Sequence, residues 1–256
     1  MKVRMRKEEA QVFVSVPILP FYQKGDFFIM CPKRTSTEKI KKIAATAMFC
    51  ALAYACMYFV KIPVGFLTLD VKDSLIILCS LLFGPVYGVS IAVLVPLLEL
   101  ITISGTGVYG FIMNVLSSVT FSLTAGLIYR YKKTMTGAII GLCSAVFAVT
   151  SVMMLANLLI TPHYIGGTTA DVAAMIPKVL LPFNLVKAVL NAAIVLLLYK
   201  PLSKILKRIG FLVSTNKGTQ SHESLQGNRT RSVLITAIAV AVILASLAVI
   251  FFVLKK

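Results

Sequence analysis

The chain has 256 residues, 58% of them hydrophobic and only 14% charged, with a formal net charge of +17 and a mean hydropathy of +0.91. Soluble domains carry about 45–50% apolar and roughly 25% charged residues, so a soluble globular protein is excluded. The apolar residues fall in long runs and not in period-two alternation, which excludes an outer-membrane barrel.

A charge this positive on a soluble protein would suggest nucleic acid. Here the basic residues lie between apolar runs and report membrane orientation instead, so no nucleic-acid partner is expected. Two histidines and five cysteines form neither a His-Glu-x-x-His nor a Cys-x-x-Cys frame, so no metal or other resident cofactor is expected. No phosphate-binding G-x-x-x-x-G-K-[ST] loop occurs, and no histidine lies within an apolar run. ATP hydrolysis by such a loop and intramembrane hydrolysis by a Ser/His/Asp set are therefore unsupported, and no enzyme activity is expected.

Residues 1–37, interrupted by Pro17, Pro20 and Pro32, read as an irregular cytoplasmic arm. The first long apolar run begins only at Ile43, which is too late for a signal peptide. A membrane-spanning helix takes about 20 apolar residues, and such runs occur at 43–62, 84–104, 109–128, 137–161, 179–199 and 233–254, with a shorter one at 74–83. Gly84 and Pro85 end the short run, because proline cannot continue the hydrogen-bond ladder of a helix. The predicted fold is all-α and polytopic: a six-helix membrane domain over 38–209, a flexible linker over 210–232 rich in Ser, Thr, Asn, Gln and Gly, and an extra transmembrane helix over 233–256 that anchors outside the bundle.

Twenty of the 26 basic residues fall in 1–42, at Arg130, Lys132 and Lys133, and between Lys200 and Arg231. By the positive-inside rule these segments are cytoplasmic, the N-terminus included. The segments 61–73, 104–108 and 162–178 then face outward. Asp70, Lys72 and Asp73 lie in the first of these and are expected to be solvated.

Polar side chains inside a bilayer are costly and mark functional positions. Glu99, Asn114, Asn157 and Asn184 each lie four or five residues inside the outer boundary of a different span, roughly 6–8 Å deep. Lys187 lies about 12 Å deep. Polar groups of four helices at one level are what an outward-opening pocket needs. Interhelical hydrogen bonding is the plainer reading of any single asparagine, and the one preferred for Asn191. Three readings stand for Lys187: a ligand-binding cation, a partner for Glu99, or a side chain that snorkels outward. On the first span Ala47, Ala51 and Ala55 recur every four residues, a spacing that lets a helix approach closely. That helix belongs either to the same bundle or to a partner.

Lys41 to Ala55, Phe66-Leu67-Thr68-Leu69-Asp70, Phe83-Gly84-Pro85-Val86-Tyr87-Gly88, Ala156-Asn157-Leu158-Leu159 and Pro182-Phe183-Asn184-Leu185-Val186-Lys187 together resemble the riboflavin-binding S components of energy-coupling-factor vitamin transporters. The resemblance spans about residues 38–209. It implies a six-helix subunit that captures riboflavin, as transported ligand and not as cofactor, from outside the cell membrane. It also implies partners, namely one transmembrane coupling subunit and two ATPases, which drive release inward by toppling the subunit in the lipid. Asn157, Asn184 and Lys187 match positions that contact the flavin ring, and Thr68, Leu69 and Asp70 match the segment bordering the pocket. Ala47, Ala51 and Ala55 match the face that docks on the coupling subunit. The third span departs from the family pattern at Val95-Pro96-Leu97-Leu98-Glu99, where Glu99 either pairs with Lys187 or contacts the ribityl hydroxyls. The alternatives are an S component for a charged vitamin such as pantothenate or thiamine, and a stand-alone secondary transporter or lipid-directed membrane enzyme.

Overall fold

A computed structural model describes residues 36–64, 67–103, 105, 107–209 and a few positions between 237 and 245. The N-terminal arm up to residue 35, the linker and most of the seventh apolar run lie outside the described residues. The elements are α1 (Ser36–Phe59), β1 (Ile62–Val64), β2 (Leu67–Leu69), α2 (Lys72–Phe83), α3 (Pro85–Thr102), α4 (Gly107–Tyr131), α5 (Met135–Ile165), α6 (Thr169–Met175), a π-helical turn (Ile176–Leu180) and α7 (Leu181–Arg208). Apart from one small hairpin the described chain is helical, in agreement with the all-α expectation. Among the described residues, five stretches are long and apolar enough to cross a membrane: Lys39–Phe59, Pro85–Thr102, Gly107–Tyr131, Met135–Ile165 and Thr169–Leu206.

The second helix is short, as its apolar run predicts. Its 12 residues reach about 18 Å, against a hydrocarbon core of about 30 Å. Ile76, Ile77, Leu78 and Cys79 follow one another in sequence and are all fully buried. Consecutive residues point all round a helix, so α2 is enclosed on every side. It packs against α1, α3, α4 and α7 and forms the axis of the bundle. Gly84 breaks the path into α3 with φ of +115°, a conformation that side-chain-bearing residues rarely adopt.

Close approach of α2, α3 and α4 depends on small residues. The Ser80 hydroxyl donates 2.8 Å to the Ser122 carbonyl, and a Cβ added at Gly126 would collide with Ser80 Oγ. The outer core is completed by Phe49 and Ala53 of α1, Ile91 and Val95 of α3, Phe121 of α4, Leu142 of α5 and Val195 of α7.

Two features differ from the sequence expectation. Residues 61–73, read as a plain loop, contain an antiparallel hairpin with Ile62 opposite Leu69 and Val64 opposite Leu67. Much of the segment 162–178, also read as loop, is helical. A reciprocal capping box between Thr168 and Asp171 starts α6, and the π turn carries the chain into α7. Gly166, in the left-handed conformation at φ of +74°, closes α5.

In α1 the buried stripe is Ala45, Phe49, Ala53 and Met57. Ala47 and Ala51 are exposed and Ala55 is half-buried, so the small-residue face is largely uncovered by its own bundle. Of the seventh run, the described positions are helical, Ala239 is buried, and Ile243 packs against Leu69, Leu190 and their neighbours on the hairpin and α7.

The close contact at Gly126 yields a direct test. Gly126→Val adds three carbons where none fit, and overpacking of this kind costs about 1–3 kcal/mol. Thermal unfolding in detergent should show a clear loss of stability, and an unchanged midpoint would mean that α2 and α4 are not in close contact there.

Candidate functional site

At one end of the bundle a cleft opens between the hairpin, the start of α4, the end of α5 and the start of α7. Its walls include Leu67 and Thr68 of β2, Tyr109, Met113, Asn114 and Ser117 of α4, Met153, Asn157, Thr161 and Tyr164 of α5, and Phe183, Asn184 and Lys187 of α7. The structure therefore brings Asn114, Asn157, Asn184, Lys187 and Thr68 together. Leu69, Asp70 and Glu99 are not among its walls. Leu69 is buried against Leu190, while Asp70 and Glu99 stand behind the wall. Of the aromatic rims, Tyr109 and Tyr164, with ring centroids 6.5 Å apart, carry no distinguishing mark in the sequence, since Tyr is common near span ends; Phe183 falls within the motif over 182–187 but is not singled out there as a wall.

The three amides are oriented by their partners. Asn157 Nδ2 donates 2.6 Å to the Met153 carbonyl, and Asn157 Oδ1 accepts from Thr161 Oγ1 at 2.9 Å. Asn184 Nδ2 donates 2.8 Å to the Leu180 carbonyl. Asn157 and Asn184 thus each satisfy one N–H within their own helix, whereas Asn114 donates across to Glu99 on α3; all three keep further capacity for a ligand, since a carboxamide has two N–H donors and an oxygen that accepts twice.

Running back from Lys187 on the cleft wall is a chain of buried and half-buried charges that the sequence reading did not foresee. Lys61 Nζ pairs with Glu99 Oε1 at 2.9 Å, and Lys72 Nζ with Glu99 Oε2 at 2.7 Å. Lys72 also lies 3.6 Å from Asp70 Oδ2, which pairs with Lys187 Nζ at 3.0 Å. Lys187 further approaches the Thr68 carbonyl at 3.4 Å.

Asp70, Lys72 and Asp73, expected to be solvated, are each no more than 2% exposed. Their segment does not project outward; it turns down into the bundle to begin α2, and each charge finds a counter-charge or hydroxyl there. Asp73 accepts a hydrogen bond from the Ser118 hydroxyl. Lys187 pairs with Asp70 and not with Glu99, and it does not snorkel outward. Glu99 is already occupied by two lysines and by Asn114 Nδ2 at 2.8 Å. Asn191 acts as the expected glue: its amide donates 3.1 Å to the Asp70 carbonyl and accepts from Ser74 N at 2.9 Å.

Three carboxylates (Asp70, Asp73, Glu99) and three ammonium groups (Lys61, Lys72, Lys187) make a set without formal net charge. Burial alone would raise the Asp70 carboxyl, but Lys187 and Lys72 beside it hold it below the usual carboxylate range. A depressed folded-state value stabilises the fold above the unfolded value of about 3.9 and is lost only as pH falls through the folded value. This contribution is therefore complete at neutral pH.

An integral membrane protein with a cleft of amide and apolar side chains at one end of a helical bundle is the class that fold and site define. Residues 41–199 match the family described as the substrate-specific component of the ECF (energy-coupling factor) transporters. The chain is 31% identical over 187 residues to the riboflavin transporter RibU of Staphylococcus aureus (strain TCH60), covering 69% of this chain and 98% of that protein. It is 25% identical over 175 residues to the riboflavin transporter FmnP of Bacillus subtilis (strain 168), covering 63% and 91%. A solved structure described under "Structure and mechanism of the S component of a bacterial ECF transporter" superposes with a TM-score of 0.57 at 31% identity, over 66% of this chain and 99% of that one. The chain belongs to the ECF transporter substrate-specific component family.

The charge chain makes a sharp prediction. Lys72→Met leaves Glu99 and Asp70 short of a buried counter-charge, and breaking such a pair costs about 3–5 kcal/mol. The variant should accumulate poorly and unfold at a markedly lower temperature; wild-type stability would show that Lys72 is not part of a buried pair.

Proposed function

We propose that this chain is the substrate-capture subunit of an ECF-type importer, a multi-pass protein of the cell membrane with its N-terminus cytoplasmic, which binds riboflavin from outside and delivers it inward. The observation that carries the choice of ligand is the cleft's composition. Three asparagine amides and a lysine already paired to Asp70 line it together with Met113, Met153, Tyr109, Tyr164 and Phe183.

A carboxylate ligand such as pantothenate, or a cation such as thiamine, needs an unpaired counter-charge. Lys187 is held by Asp70, and Glu99 by Lys61 and Lys72. A neutral ligand with both amide-like and apolar edges matches the cleft better. Riboflavin has a pyrimidinedione edge that alternates carbonyl acceptors with an N–H donor, the complement of an asparagine amide, and a dimethylbenzene end suited to apolar walls. Both curated relatives above are riboflavin transporters by name, which supports the same ligand. On this reading Asn157, Asn184 and Lys187 meet the ring, with Thr68 and Asn114 completing the enclosure.

Transport requires a separate module of one transmembrane coupling subunit and two ATPases, as the family implies. The exposed Ala47 and Ala51 supply a surface on which another helix backbone can come close, and Ala55 continues it. Asn184→Ala removes an amide whose flavin partner would be left buried and unpaired, costing about 1–3 kcal/mol of affinity. Equilibrium titration with riboflavin measures this, and an unchanged Kd would remove Asn184 from the site. Ala51→Phe should leave riboflavin binding intact and abolish uptake in cells; normal uptake would show that this face is not the docking surface.

A further inference from the structure

Glu99 is 5% exposed on α3 and forms no wall of the cleft, yet it accepts from Lys61 of the chain entering the hairpin, Lys72 at the start of α2 and Asn114 of α4. Buried ion pairs of this kind are often no more stabilising than apolar residues of similar volume, so stability alone is a weak reason for a carboxylate here. A carboxylate only accepts hydrogen bonds. The group of Asn114 that faces it must therefore be the Nδ2 amine, and the amide oxygen is left without a partner among the described residues. Two lysines fix Glu99 in place, so it cannot swing into the cleft itself.

We propose that Glu99 is a positioning residue for the binding site: by holding Asn114 Nδ2 it presents Asn114 Oδ1 to the cleft, which selects a ligand offering a hydroxyl or N–H at that point. The same bond network ties the first foot of the hairpin, through Lys61, to the amide that meets the ligand. The specificity extends the riboflavin reading and rests on it for the probe. Riboflavin carries both ribityl hydroxyls and a ring N–H, so it satisfies the requirement in either orientation.

The test is a double-mutant cycle on the full-length protein in detergent, read by riboflavin titration, with thermal unfolding of the ligand-free protein followed alongside. Asn114→Ala should weaken binding about tenfold, and Glu99→Gln should weaken it in the wild-type background. In the Asn114→Ala background Glu99→Gln should have no further effect on Kd, because the residue it positions is gone. Equal loss in both backgrounds, or no loss in either, overturns the inference.

A polarity exchange gives a second arm. Asn114→Asp sets two carboxylates against each other and should weaken binding. The pair Glu99→Gln with Asn114→Asp restores a donor behind and an oxygen in front, and should recover binding beyond either single variant. A purely structural role would restore stability without restoring Kd, and that result counts against the inference. If Glu99→Gln does not fold, Glu99→Asp, which retracts the carboxylate by one methylene, takes its place in the cycle. Failure of the wild-type protein to bind riboflavin would instead defeat the functional reading on which the probe depends.

Discussion

Burying Asp70, Lys72, Asp73 and Glu99 among membrane helices, with Lys61 and Lys187 half-buried beside them, is the costliest thing this fold does, and the rest of the site is arranged around making it tolerable. A single ammonium or carboxylate withdrawn from water carries a penalty of several kcal/mol. Here Lys61, Glu99, Lys72, Asp70 and Lys187 form a continuous series of contacts of 2.7–3.6 Å, and Asp73 is met by Ser118. The series joins α3, the hairpin, α2 and α7, so one set of interactions fixes how four elements meet. It also sets the character of the cleft. With charges matched behind the wall, the groups facing the cleft are amides, hydroxyls, apolar side chains and one ammonium held by a carboxylate.

The short α2 makes this arrangement possible. A full-length second span would carry its first turn to the membrane surface, where Lys72 and Asp73 would meet water. Because the helix is only 12 residues long, its charged start sits within the bundle beside Glu99, Ser118 and Asn191. The space it leaves is roofed by the hairpin, anchored at one foot by Lys61 on Glu99 and at the other by Asp70 on Lys187. The cleft is therefore enclosed by a small sheet held through buried electrostatics, while the long helices α4, α5 and α7 supply its sides.

Much of this architecture was legible in the sequence because bilayer physics is unforgiving. Runs of apolar residues located α2, α3, α4 and α5 to within about four residues, whereas α1 begins at Ser36, well before its run at 43, and α7 continues to Arg208, well past its run ending at 199; Gly84-Pro85 marked the end of α2. Asn114, Asn157 and Asn184 stood out as rare amides in apolar surroundings, and their matched depths anticipated that they would meet. The charged segment was misread for an equally physical reason. Asp70, Lys72 and Asp73 look like surface residues until their partners are known, and those partners lie far along the chain: Glu99 is 27 residues from Lys72 and Lys187 is 117 from Asp70. The hairpin was illegible because three-residue strands around Pro63 and Gly65 carry no period. Part of the missed helix was readable, since Thr168 and Asp171 form a capping box at its start. Family resemblance supplied the ligand and coupling roles, which composition and spacing alone do not contain.

The central claim is that a cleft of amide, apolar and charge-paired groups binds neutral riboflavin. The chain contains no tryptophan, so no indole emission overlaps the measurement, and the flavin's own fluorescence can be followed as ligand-free protein is titrated into dilute riboflavin. The account predicts saturable quenching with one flavin per chain, undiminished by an excess of pantothenate or thiamine. Absence of quenching by folded protein, or displacement of riboflavin by either charged vitamin, would contradict it.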